Sequence, residues 1–388
     1  MSLKFKVIAG FFMSFSIVLG ACSGNAKSEK TAMNESFVPG ELWYDADSVH
    51  INAHGGGVLY HEGTYYWFGE HKTSGRGGNT SLLGLRCYSS DDLYNWKNEG
   101  IALASVDDPE SEITHGCVME RPKVIYNETT KQFVMWFHLE LKGQGYAAAR
   151  TGLAVSDKVT GPYTFVKSSR VNANVWPIEA TTEMKNCSGE TKHDWWTQEW
   201  RKEVNKGLFV ARDLDSGQMS RDMTLFVDDD GTAYHIHSAE ENLTLHIAEL
   251  TPDYKDFTGK WTRVAPGGHN EAPALFKYKG KYYMIASGCT GWDPNEARIL
   301  VADSIWGPWE YKGNPCKGKD ANLTFHSQST FVLPVAGKEN AFIFMGDRWR
   351  PRNPIDGRYV WLPITFEDDQ PAIEWHKQWD LSVFNSEI

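Results

Sequence analysis

Positive charge is in short supply along the 388 residues: 39 Lys and Arg face 50 Asp and Glu, for a formal net charge of −11. A chain this acidic has no electrostatic footing on a polyanion, which excludes nucleic acid as a partner. Metal-binding spacings are missing too. Neither C-x-x-C nor H-E-x-x-H occurs, so the sequence makes no case for a structural zinc. Cysteine is sparse, six residues in all. With Cys22 set aside, Cys87, Cys117, Cys187, Cys289 and Cys316 remain, an odd number that allows at most two disulfides in an exported chain. Cys289 and Cys316 flank one predicted unit and are the expected pair.

Long apolar runs are absent but for one. Val7 to Leu19, preceded by Lys4 and Lys6, is too short for an ordinary membrane span. It ends Leu19-Gly20-Ala21-Cys22, which is similar to a bacterial lipobox. Residues 1–21 therefore read as a lipoprotein signal peptide, Cys22 as the lipidated first mature residue, and 22–40 as a flexible tether. The expected location is the cell envelope, with membrane contact only through this anchor. A monomer is expected.

Aromatic residues are what the chain has in excess: 16 Trp, 16 Tyr and 19 Phe, or 13%. They suit a strand-rich core or platforms for sugar rings. Their arrangement repeats. His269 to Ala286 reads as strand, two-residue turn at Lys279-Gly280, and strand. Similar hairpins surround Glu62-Gly63, the stretch from Glu120 to Phe137, Asp229-Asp230-Gly231, and the stretch from Gln328 to Met345. Five multi-stranded units of about 40 to 60 residues predict an all-β, five-bladed propeller over residues 41–388, because lone sheets bury their faces only by stacking radially. His54, Glu120, Asp222, Glu271 and Gln328 all precede the first strand of a unit, so all five are expected to converge on one central pit. An insertion at about 169–220, between blades two and three, breaks the repeat. Its Trp195, Trp196 and Trp200 could floor a sugar subsite or pack the insertion onto the propeller.

Glu120, Asp222 and Glu271 sharing a water-poor pit would repel one another and raise at least one pKa, giving a proton donor near neutrality. Paired carboxylates of unequal acidity are the equipment of glycosidic-bond cleavage. The alternative use of such a cluster is to hold calcium or to solvate the channel.

These residues resemble glycoside hydrolase family 43, five-bladed propellers that invert the anomeric centre. The resemblance runs from about Glu41 to Leu381. It rests on Asp222-x-x-Leu-Phe-Val-Asp-Asp-Asp-Gly, on Glu271-Ala-Pro-Ala-Leu-Phe-Lys with Gly280-x-Tyr-Tyr, on Ser90-x-Asp-Leu-x-Asn-Trp, and on Gly-Pro-Tyr and Gly-Pro-Trp. It implies Glu271 as general acid and Asp222 as the residue that tunes and orients it. One departure stands out. The family's general base is an Asp three residues before the first hydrophobic pair of blade one, and that position is Gly55 here.

The pattern Ala53-His-Gly-Gly-Gly-Val-Leu-Tyr with Glu120-Arg-Pro-Lys is similar to the exo-β-1,3-galactanase branch, which lacks that Asp. The branch implies two stand-ins. Glu120 either accepts the water's proton or holds sugar hydroxyls; Gln328 positions the water, through its carbonyl oxygen or as an imidic tautomer. It also implies galactose contacts at Glu70 and Tyr146, and by spacing at Asn242 and Thr290, with Trp292 and Trp349 as stacking platforms. His326 matches a histidine that many members place near a central cation, so a structural calcium could sit there; the chemistry requires no cofactor. The expected activity is release of terminal galactose from β-1,3-galactan or arabinogalactan. The alternatives are an arabinofuranosidase or xylosidase of the same family, or an inactive glycan-binding lipoprotein.

Overall fold

The computed structural model describes residues 33–385; the signal peptide, Cys22 and most of the expected tether lie outside the described residues. Five antiparallel sheets follow one another along the chain. Blade one comprises His54–His61, Thr64–Lys72, Leu82–Ser90 and Lys97–Ala104. Blade two comprises Val118–Asn127, Gln132–Glu140, Arg150–Ser156 and Thr164–Ser169. Met223–Val227, Ala233–Ala239, Thr244–Leu250 and Phe257–Val264 form blade three. Glu271–Tyr278, Lys281–Ser287, Ala297–Ala302 and Glu310–Gly313 form blade four. Blade five holds Gln328–Pro334, Phe342–Arg348, Arg358–Glu367 and Gln370–Glu374, with Cys316–Lys317 added in parallel outside the last strand. The five first strands contact their neighbours in a closed ring, blade one against blade five included. This is the five-bladed propeller expected from the repeat.

The turns explain why each hairpin closes. Glu62-Gly63 and Lys279-Gly280 have φ of 47° and 89°, and of 47° and 77°. Positive φ at both central residues is the twist that suits a two-residue hairpin, and the second place falls to glycine each time.

The ring is closed by aromatic packing. Trp361 of blade five lies 4.8 Å from Trp67 and 6.0 Å from Trp96 of blade one, between ring centroids. The chain ends join the same cluster: Phe37 bridges Trp379, and their rings stack at 4.4 Å. The chain is thus already packed at Phe37, four residues ahead of the expected start of the domain.

The insertion holds three short helices, Thr182–Lys185, Gln198–Lys206 and Leu208–Arg212. Thr181 and Thr197 cap the first two by accepting from Met184 N and Trp200 N, and Gly207 in the left-handed region ends the second. Trp200 is buried, with Trp195 and Trp196 against it at 5.1 and 5.2 Å. Arg263 of blade three ties the segment down by donating to the carbonyls of Val204 and Asn205. These tryptophans pack the insertion and do not line the central pit.

The expected disulfide is corrected by the fold. All five described cysteines are free thiols. Cys316 sits on the outermost strand of blade five, whereas Cys289 lies beside the central pit, against Asn242 O. Flanking one unit in sequence does not bring them together in space.

Trp361→Ala removes the side chain shared by both blades at the closure. It is expected to cost about 3–5 kcal/mol in guanidinium unfolding, the range for a large buried aromatic.

Candidate active site

The innermost strands of three blades share a local device. Ladder register slips between His54 and Gly57, between Glu120 and Lys123, and between Glu271 and Ala274. The residue after each slip begins has positive φ: 64° at Gly55, 56° at Arg121 and 56° at Ala272. Pro122 and Pro273 follow in two of them, where a bulge spares the missing N–H. The bulge turns Glu120 and Glu271 into the channel mouth. The expectation that these glutamates stand before their strands is refined: they stand at bulges in the first turns of the ladder.

The pit so formed has a volume of about 260 Å³. It is lined by Glu70, Glu120, Tyr146, Asp222, Asn242, Glu271, Trp292, Gln328 and Trp349 of the expected set, and also by Asn79, Arg121, Arg221 and Gly291. Three expected residues fall outside. His54 is fully buried behind the channel, its ring stacked on Tyr359 at 5.3 Å, because the blade-one bulge points Gly55 inward instead. Thr290 is exposed and donates to Asp293 O at 2.5 Å, bracing the loop that carries Trp292. His326 does not line the pit; it lies 3.5 Å from Asp320 and borders a smaller adjoining cavity with Gln328 and Trp349.

Arg121 is the residue that sequence reasoning missed and the pit is built on. Its guanidinium donates to Asp222 Oδ2 at 3.0 Å, Gln328 Oε1 at 2.6 Å and Ser329 O at 2.7 Å. Its backbone N–H donates to Glu70 Oε1 at 3.0 Å, and Trp349 lies over the guanidinium at 5.3 Å. The signal was present in Glu-Arg-Pro-Lys: the residue between Glu and Pro occupies the same bulge place as Ala272, but with a cation.

Gln328 is held at both ends. Oε1 accepts from Arg121 and from Trp349 Nε1 at 2.9 Å; Nε2 donates to Glu271 Oε1 at 2.9 Å and Ser287 Oγ at 3.0 Å. Arg and Trp have no acceptor, so the amide orientation is fixed.

The two glutamates have opposite acidities. Burial pushes Glu271 up to about 7, reinforced by the charge of Asp222; Arg121, Cys289 and Gln328 pull the other way without cancelling it. Asn242 Nδ2 reaches its second oxygen at 3.2 Å. Burial acts on Glu120 in the same direction but loses. His138 Nδ1 sits 3.1 Å from Glu120, and Lys72 and Tyr146 add to its pull, holding the carboxyl down at about 2. His138 is itself raised to about 9 despite burial, because Glu120 and Glu140 flank its two nitrogens.

Glu120, His138 and Asp222 each offer a ligand atom within 4.8 Å of the others, a group that could hold a metal ion. As it stands, both imidazole nitrogens face carboxylates, so a cation would have to displace a proton there.

Residues 194–371 match the model of glycosyl hydrolases family 43. A GH43 β-1,3-galactosidase solved with galactodeoxynojirimycin is 55% identical, with TM-score 0.86, over 89% of this chain and 100% of that one. An exo-β-1,3-galactanase from Clostridium thermocellum is 34% identical, TM-score 0.71, over 88% and 66%. One from Phanerochaete chrysosporium, solved with β-1,3-galactotriose, is 30% identical, TM-score 0.72, over 89% and 68%. A search of curated proteins returns no match.

Asp222 raises Glu271 through its charge. Carbon-13 NMR of glutamate-labelled protein should show the Glu271 carboxyl titrating near pH 7, and Asp222→Asn should move that midpoint to lower pH.

Proposed function

The chain belongs to glycoside hydrolase family 43, and on that premise we propose that it is an inverting, exo-acting galactosidase releasing terminal galactose from β-1,3-galactan or arabinogalactan chains. The observation that carries the reading is Glu271, a carboxyl raised to about 7 and so partly protonated at neutrality, in a pit of about 260 Å³. A proton donor is what the departing sugar oxygen needs. Asp222, by repelling the ionised form, acts as its modulator. The substrate is taken from the 55% identical β-1,3-galactosidase, whose whole length this chain covers.

The small volume of the pit, about 260 Å³, supports exo action. Trp292 and Trp349, 5.9 Å apart and near-perpendicular, frame the rim as platforms for a sugar face. Asn242 and Tyr146 present polar groups toward the hydroxyls, the latter held by Glu120 at 2.9 Å. Glu120, ionised and strongly acidic, is suited to accepting hydrogen bonds from hydroxyls and is a poor acceptor of a water's proton. Gln328 keeps Glu271 in place through its amide nitrogen; its oxygen is taken. All bond-making groups in this reading come from the protein, and a structural calcium is not assigned a part. The leader ending at Cys22 supports placing the enzyme on the cell envelope by a lipid anchor.

Wild-type protein is expected to release free galactose from β-1,3-galactobiose. Glu271→Gln should lower kcat by about 10²–10⁴-fold, the usual contribution of a general acid. A smaller loss on an aryl galactoside, whose leaving group needs no proton, would accompany it. Near-normal turnover of both substrates by the variant would contradict the assignment, and binding without release by wild-type protein would point to a glycan binder.

A further inference from the structure

The absent blade-one Asp leaves a specific gap, and the structure shows what fills it. An ideal Cβ built on Gly55 would run into Oε1 of Glu70, with Trp349 Cη2 also at 3.3 Å. An Asp side chain at position 55 and Glu70 in its present place exclude each other. Glu70 comes from the second strand of blade one, directly across the ladder from His54, and lines the pit. Its carboxylate therefore stands where a side chain on residue 55 would begin.

We infer that Glu70 takes over the work of the missing aspartate, accepting the proton of the attacking water. The inference rests on the inverting galactosidase reading above. The other candidates are each spoken for. Glu120 is tied to His138 at 3.1 Å and to Tyr146 at 2.9 Å. The oxygen of Gln328 is capped by Arg121 and Trp349. Asp347 does not line the pit itself; it accepts from Gly55 N and pins the bulge in place.

Glu70 keeps capacity to accept. Oε1 receives one backbone N–H, from Arg121 at 3.0 Å, and Oε2 lies 2.6 Å from Lys72 Nζ. Lys72, Arg121, Lys123, Glu120 and Asp347 are the charged groups around it, and burial outweighs Lys72 in raising its pKa, which makes it a better base than Glu120. It also stands apart from the acid. Arg121 separates them, its N–H on Glu70 and its guanidinium on Gln328, whose amide reaches Glu271. Inversion requires acid and base to stand apart, with a water between them.

The step balances without any further reactant. A lone pair of water oxygen bonds to the anomeric carbon, and the electrons of the glycosidic C–O bond pass to the leaving oxygen. That oxygen takes the Glu271 proton, and one water proton passes to Glu70. Proton exchange with solvent then resets both groups.

The experiment compares wild type with Glu70→Gln on β-1,3-galactobiose and on a galactosyl fluoride. Loss of a base should lower kcat by about 10²–10⁴-fold on both substrates, because the water needs its base whatever the leaving group. KM should change little. Sodium azide, a nucleophile with no proton to lose, should restore turnover and give α-galactosyl azide. A kcat within about tenfold of wild type with only KM raised would overturn the inference and leave Glu70 as a hydroxyl contact. If circular dichroism shows Glu70→Gln unfolded, Glu70→Asp keeps the Lys72 partner and withdraws the carboxylate by one methylene. A drop in kcat of about tenfold or more supports the inference, and unchanged kcat overturns it. Wild-type protein that releases no galactose would sink the underlying reading instead.

Discussion

One buried guanidinium makes the pit affordable. Glu70, Glu120, Asp222 and Glu271 crowd a small cavity, and unscreened carboxylates at such range would force each other to protonate or push the blades apart. Arg121 touches Asp222 directly, Glu70 through its backbone, and Glu271 through Gln328. Every blade's contribution is thus referred to one cation from blade two. Because a guanidinium cannot lose its proton, the frame stays charged while the carboxyls around it titrate. Removing it would strand several buried anions at once, a far larger loss than a surface pair would cause.

Around that centre the protein creates acidity differences from similar parts. Glu120 and Glu271 occupy the same bulge in neighbouring architecture, yet one is held at about 2 and the other at about 7. The difference is the neighbour each receives. Glu120 has an imidazolium, itself stabilised by Glu140; Glu271 has the anion of Asp222 and only neutral donors in Asn242 and Gln328. One backbone device serves for binding in one blade and for proton transfer in another.

The fold was readable from local signals because hairpins are local. Lys279-Gly280 and Glu62-Gly63 announce their turns, and aromatic strands between them announce faces that must be buried. The convergence of Glu120, Asp222, Glu271 and Gln328 followed from that repeat. What failed depended on direction, which spacing does not carry. His54 occupies the right place in its blade but turns behind the channel, Thr290 braces a loop outside it, and His326 borders the smaller cavity next door. Cys289 and Cys316 flank a unit without meeting. Arg121 was passed over because its part follows from a bulge with a left-handed residue before proline, a conformation nothing in Glu-Arg-Pro demands. The gap at Gly55 was visible in the sequence; that Glu70 fills it needed coordinates.

A proton donor at Glu271 and a water attacking from the opposite face together require inversion at the anomeric carbon. Proton NMR of the first galactose released from β-1,3-galactobiose reads that directly, before mutarotation blurs the signal. Appearance of the α-anomer first is the result predicted. The β-anomer first would mean retention, a covalent intermediate in place of a bound water, and a different use of every carboxylate in the pit.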